Sequence, residues 1–447
     1  MNAALDRFFG LSDAGTTAST ELRAGLTTWL TMAYILVVNP TILGNAITVQ
    51  GVDLFGELLT ATALAAAAGS LLMGLLARYP FALAPGMGLN AYFAFSVVLG
   101  RGVPWQTALG AVLLSGLLFL GLSFFGAREA LVAAIPKPLQ AAIAAGIGAF
   151  LLHLGLQSAG LVVDHPATLV TLGALSSPQA ALALVGLAVM GALTARGVRG
   201  AILIGVAAVT ALAVLTGAPV YQGAAFAGFP GGPLQAPAWP VHIAGALDLS
   251  GALSMGLLDV VFIFWFVDLF DTAGTLTGLG RKVGALDAEG RLPRARRAFA
   301  ADAAATVTGA LLGTSTTTSY IESAAGVQAG GRTGLTAVTV AALFAASLFA
   351  WPLAAAVPAA ATAPALILVG ASMLDGLREV EWGDPRQAVP VALTLLAMPL
   401  TFSIANGVAL GIVAWTALHL LSGKRVSPLL IGLSLLLGVR YAWLAGG

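Results

Sequence analysis

The chain has no cysteine, which excludes disulfides and thiolate metal sites. Charge is scarce as well. Asp, Glu, Lys and Arg make up 9% of the 447 residues, against roughly 25% in soluble domains. No basic tract of the kind that holds nucleic acid is present. The four histidines, His153, His165, His242 and His419, have no metal-site spacing. The N-terminal stretch MNAALDRFFGLSDAGTTAS lacks the charged-then-apolar layout of a signal peptide. What fills the chain instead is apolar: 59% hydrophobic residues, with a mean hydropathy of +0.96. No globular core needs so much apolar surface, whereas repeated spans of about 20 apolar residues suit a bilayer.

The pattern predicts fourteen spans, near 22–44, 57–78, 82–99, 105–126, 138–158, 179–196, 200–217, 251–279, 298–313, 317–330, 334–356, 358–375, 387–402 and 406–422. The apolar stretch 427–445 reads either as a further crossing or as a helix along the interface. Positive charge tests the count. With the N-terminus inside, the inner loops and span ends take all of the 20 Lys and Arg residues except Arg101, outside, and Arg440, in the undecided tail. That is a strong positive-inside bias. Loop 218–250, with no Lys or Arg, falls outside, and the basic loop 281–297 falls inside. Arg128, Arg291 and their neighbours belong to the same inner set.

The spans split into two halves of seven, the first half starting in-to-out and the second out-to-in, an inverted repeat of the kind secondary transporters use. The third span of each half is abnormal. YPFALAPGMGLNAYFAFSVV (79–98) carries Pro80, Pro85, Gly86 and Gly88, which interrupt a helix. GTSTTTSYIESAAGVQAG (313–330) crowds β-branched hydroxyl residues together, which favours extended backbone. Each predicts a short extended piece followed by a half-helix, and irregular backbone at membrane depth is tolerated only against protein or a wet cavity.

Acids gather at these breaks. Asp268 and Asp271 lie three residues apart in WFVDLFDTAGT (265–275), on one helix face. Glu322 and Asn90 open the two half-helices. A carboxylate at bilayer centre costs about 2.5–3.5 kcal/mol, so three of them call for compensation. One reading is structural, with the acids hydrogen-bonded to Thr272, Thr275 or Thr316. The other is functional: Asp268 and Glu322 face a cavity and accept hydrogen bonds from a solute, and one or more takes up a proton. No Lys or Arg accompanies them, which disfavours an anion. A flat, nitrogen-rich ring suits carboxylates and an amide, with Phe264, Trp265, Phe93 and Tyr320 as candidate stacking faces. Asp302, one turn into its span, reads as an interface partner of Arg296 and Arg297. Asp259 reads as structural and His153 as a core residue. Asn39–Pro40 reads as a kink or as path lining.

ALAPGMGLNAYFAF (82–95), FVDLFDTAGTLTG (266–278) and GTSTTTSYIESAAGV (313–327) closely resemble signature stretches of the adenine/guanine/hypoxanthine permeases, a purine branch of the nucleobase–ascorbate transporters, or nucleobase–cation symporter-2 family. TMAYILVVNP (31–40) and MPLTFSIANG (398–407) resemble it too. The resemblance implies an all-α polytopic fold like that of uracil permease, with fourteen transmembrane segments in two inverted repeats. A core domain would take 20–128 and 248–357, a gate domain 129–247 and 358–426, and 427–447 would form an apolar tail. Short antiparallel β-strands would precede the half-helices of spans 3 and 10 at the midplane. It further implies proton symport of purine bases through the cell membrane, driven by the proton gradient without a cofactor, often as a homodimer. Residue by residue, Asp268, Glu322 and Asn90 would bind or shape the site. Asp271 and Thr272, with Glu322, would support or couple, and Asp384 would make a gate contact. A carrier of uracil, xanthine or a small anion is the nearest alternative. A channel would need rings of charge or carbonyls, and an intramembrane aspartyl protease would place its two acids on different helices.

Overall fold

The computed structural model describes residues 2–125, 135–221, 226–229, 231–254, 257–287 and 292–445. Arg128, Arg291 and the side chain of Arg440 from the charge count lie outside the described residues. In order, the elements are α1 (Asn2–Phe9), α2 (Ala18–Met32), α3 (Ile35–Leu43), α4 (Phe55–Leu72), β1 (Leu83–Pro85), α5 (Met87–Ala91), α6 (Trp105–Phe125), α7 (Lys137–Ser158), β2 (Val162–His165), β3 (Leu169–Leu172), α8 (Pro178–Ala195), α9 (Ala201–Thr216), α10 (Leu249–Ala252), α11 (Leu258–Val283), α12 (Ala295–Leu312), β4 (Thr317–Ser319), α13 (Ser323–Gln328), α14 (Gly334–Ser347), α15 (Trp351–Ala355), α16 (Ala359–Met373), α17 (Pro385–Leu400), α18 (Ile404–Leu421) and α19 (Pro428–Ala445). Wider, π-type turns extend α4 through Met73–Ala77 and α5 through Tyr92–Leu99.

This is an all-α polytopic membrane protein built on an inverted repeat. The expectation of fourteen spans, the third and tenth broken, is met only in part: nine helical segments among the described residues are long and apolar enough to cross a bilayer. The remainder fall short for physical reasons. Met87–Leu99 and Ala201–Thr216 are apolar but short. Arg296, Arg297 and Asp302 dilute α12, and Pro390 and Pro399 sit inside the 16-residue α17. The hairpin of β2 with β3 was not anticipated, because its sequence carries no tight-turn signal.

The chain divides into two compact units, Met1–Phe124 with Leu156–Ala365, and Phe125–Gly155 with Leu366–Gly447. In the first, β1 and β4 pair antiparallel, Leu83 opposite Ser319 and Pro85 opposite Thr317. Pro85 lacks an N–H to give and the Thr run resists helix, so both segments stay extended. Their remaining backbone groups find partners nearby. Ser70 Oγ accepts from Leu83 N (2.9 Å) and donates to Leu83 O (3.1 Å), and Ser323 Oγ accepts from Ala82 N (2.9 Å). Small residues bring the surrounding helices in close. A Cβ at Gly326 of α13 would lie 2.7 Å from the Ala24 carbonyl and press on Thr28 Oγ1 of α2. Gly326→Ala should therefore cost about 1–3 kcal/mol by overpacking, read as a lower melting temperature in detergent. A melting temperature equal to wild type would show that α2 and α13 yield freely.

Segment 235–248 is tied across this unit. Gln235 N donates to Phe349 O (3.0 Å), Gly245 N to Leu311 O (2.8 Å) and Asp248 N to Gln106 O (3.0 Å). Glu57 accepts from His242 N (2.9 Å) and meets its Nδ1 at 2.5 Å. The N–H of Gly251 and the hydroxyls of Ser250 and Thr107 hold the Asp248 carboxyl down to about 2. Arg101, the cation assigned to the outer side, pairs with Asp259 at 2.9 Å.

In the second unit, α17 and α18 pack closely because Gly407 and Gly411 leave room for Met398 and Thr394. His153 lies edge-on to Phe402, with centroids 5.4 Å apart. Helix α19 lies along α18: Ser434 Oγ donates to Thr416 Oγ1 (2.7 Å) and Tyr441 Oη to Asn406 Oδ1 (2.6 Å). Rising numbers on one helix meet falling numbers on the other, so they run antiparallel. Leu430 and Leu437 are buried on the same stripe, whereas Leu435, Leu436 and Val439 are exposed.

Candidate functional site

Helix α11 carries Asp268, Asp271 and Thr272 past β4 and the start of α13, and α12 backs the strand. Among these residues only Asp271 and Glu322 are partly rather than fully buried; Asp268 is 1% exposed and Asp302 0%. Asp302 and Glu322 each lie within electrostatic range of Asp271.

Asp302 is where the sequence reading needs correcting. Read from the sequence as an interface residue, it is instead a buried hub, 0% exposed. Its Oδ1 accepts from Ser319 N (2.9 Å) and Ser319 Oγ (2.8 Å), and its Oδ2 accepts from Thr272 Oγ1 (2.8 Å). Thr272 in turn meets Thr318 Oγ1 at 3.0 Å. One carboxylate thus locks β4 to the turn of α11 that bears Asp271. Its neighbour on α12, Thr306, donates to Thr317 O at 2.9 Å and lies 3.4 Å from Asp268 Oδ2. The signal was available as an acid and a threonine one turn apart in an alanine-rich run, AADAAATVTG.

Glu322 is the residue before α13, and its side chain makes no capping bond to that helix. Instead its Oε1 accepts from Tyr34 Oη at 2.7 Å. Tyr34 is fully buried at the break between α2 and α3, and the sequence reading did not single it out.

Asn90 is completely buried. Its Nδ2 donates to Asn39 Oδ1 and its Oδ1 accepts from Ser315 Oγ. Asn39 passes the chain on, donating to Thr62 Oγ1 (2.7 Å) and Thr314 Oγ1 (2.9 Å). This amide ladder joins α3, α4 and α5 to the approach of β4, and it gives Asn39 a defined place beside Pro40.

The aromatic candidates divide. Phe264 is buried edge-on to Tyr92, with centroids 5.0 Å apart, and Phe93 is fully buried. Tyr320 Oη donates to Pro85 O (2.6 Å), tying β4 to β1. Trp265, 8% exposed, has an indole N–H without a hydrogen-bond partner among the described residues. Asp384 caps α17 and pairs with Arg386 at 2.9 Å, which holds its carboxyl below the usual range. A cavity of about 460 Å³, lined by Pro40, Gly44, Thr48, Val52, Asp53 and Phe55 among others, includes none of the site acids. Among the described residues no cluster of His, Asp and Glu could hold a metal.

Chemically, this arrangement offers two partly buried acidic residues, a strand pair pinned beside them and no lysine or arginine in 254–280, 313–330 or 82–99. It can accept hydrogen bonds and protons; it has no cation for an anion.

Comparison with known proteins agrees with this architecture. Residues 19–410 match the model of the Permease family, xanthine/uracil type. Adenine permease AdeP of Escherichia coli K12 is 42% identical, covering 97% of this chain and 94% of its own. Guanine/hypoxanthine permease PbuO of Bacillus subtilis 168 is 44% identical, covering 96% and 98%. Among solved structures, the transmembrane domain of the cyanobacterial bicarbonate transporter BicA superposes with a TM-score of 0.63 at 16% identity, over 87% of this chain and 97% of that one, a likeness of fold. The chain belongs to the permease family of membrane transporters.

Proposed function

We propose that this permease imports purine nucleobases together with protons across the cell membrane. The observation that carries the reading is the pair of partly buried acidic residues, Asp271 and Glu322, set beside two interrupted segments that carry no lysine or arginine. A purine edge presents adjacent N–H groups that a carboxylate accepts in a fork, and a carboxylate that changes protonation links uptake to the proton gradient. The related permeases for adenine and for guanine and hypoxanthine support the substrate class. Glu322 and Asp271 grip the base; Asp268, expected from the sequence to bind it, is 1% exposed and with Thr272 supports that face from inside, Asn90 sets its depth, and Trp265 and Tyr320 border it. The finer organisation belongs to the same proposal: fourteen crossings with the N-terminus inside, interrupted segments at the midplane, core and gate domains that move as an elevator, and a homodimer. Asp384, at the inner start of α17, is its gate contact.

Uptake of labelled adenine, guanine, hypoxanthine, xanthine and uracil into proteoliposomes, with and without an inward proton gradient, tests this directly. Gradient-dependent uptake of a purine is expected. Failure to take up any base would sink the proposal.

The tail extends the topology. Because α19 lies antiparallel along α18, we propose that it crosses the bilayer as well, with Leu435, Leu436 and Val439 towards lipid. The native chain has no cysteine, so Lys424→Cys and Ala445→Cys each give one thiol. A membrane-impermeant maleimide should label the two from opposite sides. Labelling from the same side would place α19 along the interface.

A further inference from the structure

We infer that Tyr34 is a positioning residue for the substrate carboxylate: its hydroxyl holds Glu322 Oε1 and leaves Oε2 directed to the transported base. The inference rests on the proposed purine reading and deepens it.

The geometry argues as follows. A carboxylate on an unrestrained glutamate side chain samples several rotamers, and ordering it on ligand arrival costs free energy. A partner that fixes it beforehand removes that cost, which is what preorganisation means at a binding site. Tyr34 has the means to do this. It is 0% exposed, so its own ring cannot wander. It stands where α2 gives way to α3, after the αR C-cap Ala33, which turns its hydroxyl toward the start of α13. The bond to Glu322 Oε1 measures 2.7 Å, a short contact appropriate to an O–H donor on a carboxylate. No other side chain among the described residues donates to this carboxylate. The backbone beside it is keyed as well. Thr31 Oγ1 lies 3.4 Å from Glu322 O, and Gly326 lets α13 press onto α2. The interrupted first span and the interrupted tenth therefore meet at one acid, and the two are 288 residues apart in sequence.

A purely structural tyrosine would contribute through its ring, and Phe keeps the ring. Tyr34→Phe removes the hydroxyl alone. Ordering a rotamer-rich side chain on binding costs about 0.5–1.5 kcal/mol, so KM for the preferred purine should rise about three- to tenfold. Vmax should stay within twofold, and the ligand-free protein should melt no more than a few degrees lower. The control is Glu322→Asp, which keeps the charge but shortens the side chain by one methylene and takes it out of reach of Tyr34. In that background Tyr34→Phe should change KM by less than twofold, because the contact it removes is already gone. An unchanged KM in the single variant, or the same factor in both backgrounds, overturns the positioning role while purine transport stands. Absence of purine uptake by the wild type overturns the substrate reading and this role with it.

Discussion

Purine uptake by the Glu322→Gln protein should fall at least about thirtyfold, and what remains should ignore the proton gradient. The amide is nearly isosteric with the carboxyl, so packing against Tyr34 and α13 survives: the side-chain carbonyl still accepts the 2.7 Å bond from Tyr34. The other end of the group changes sign. Where Oε2 offered lone pairs to a purine N–H, the amide presents an N–H of its own, donor against donor. Losing one side of a buried, charge-assisted hydrogen bond costs about 2–5 kcal/mol, which is roughly thirtyfold to several thousandfold in affinity. The amide also cannot take up a proton. Asp271→Asn should act in the same direction, because Asp271 is the other partly exposed acid. The measurement is initial uptake against concentration, at matched and at graded pH. Concentrative uptake by Glu322→Gln at the wild-type rate would remove both the ligand contact and the proton role from this residue.

The second large effect should come from a residue that never touches the solute. Asp302→Ala leaves Ser319 N–H, Ser319 O–H and Thr272 O–H without their acceptor in a fully buried place. Each orphaned donor costs about 1–3 kcal/mol. The protein should melt several degrees lower in detergent, and purine affinity should fall with it, because Thr272 adjoins Asp271 and Ser319 adjoins Tyr320. Asp302→Asn is the informative companion. Its oxygen can still accept from Ser319, and its amide can donate to Thr272 Oγ1, which then donates to Thr318. The cost should shrink to about 1 kcal/mol. Equal melting of wild type and Asp302→Ala would show that β4 is held by other means.

Much of this architecture was legible before any coordinates. Pro85, Gly86 and the run Thr316–Thr318 announced the two interruptions, because ring geometry and β-branching act locally. The aspartates of α11 stood out because ionised groups are rare in such a run. What escaped were partnerships. Asp302 looked like a neighbour of Arg296 and Arg297, since sequence proximity was the available measure; its actual donors come from a strand and from another helix. Tyr34 was one aromatic among many in an apolar segment until Glu322 was found opposite it. Helical periodicity tells which residues share a face, but not which element arrives to meet that face. The same limit explains Phe264 and Phe93, which had the right chemistry for stacking and are buried in the interior.

The antiparallel pairing of β1 with β4 also has a consequence for biogenesis. Tyr320 and Pro85 are 235 residues apart, and at about 5–20 residues per second of synthesis the earlier segment waits roughly ten to fifty seconds for the later one. Throughout that interval the nascent chain holds an extended, proline-bearing stretch with unmet backbone groups beside the insertion machinery. Until the ribosome delivers the second repeat, that stretch needs a chaperone-like companion or a watery refuge.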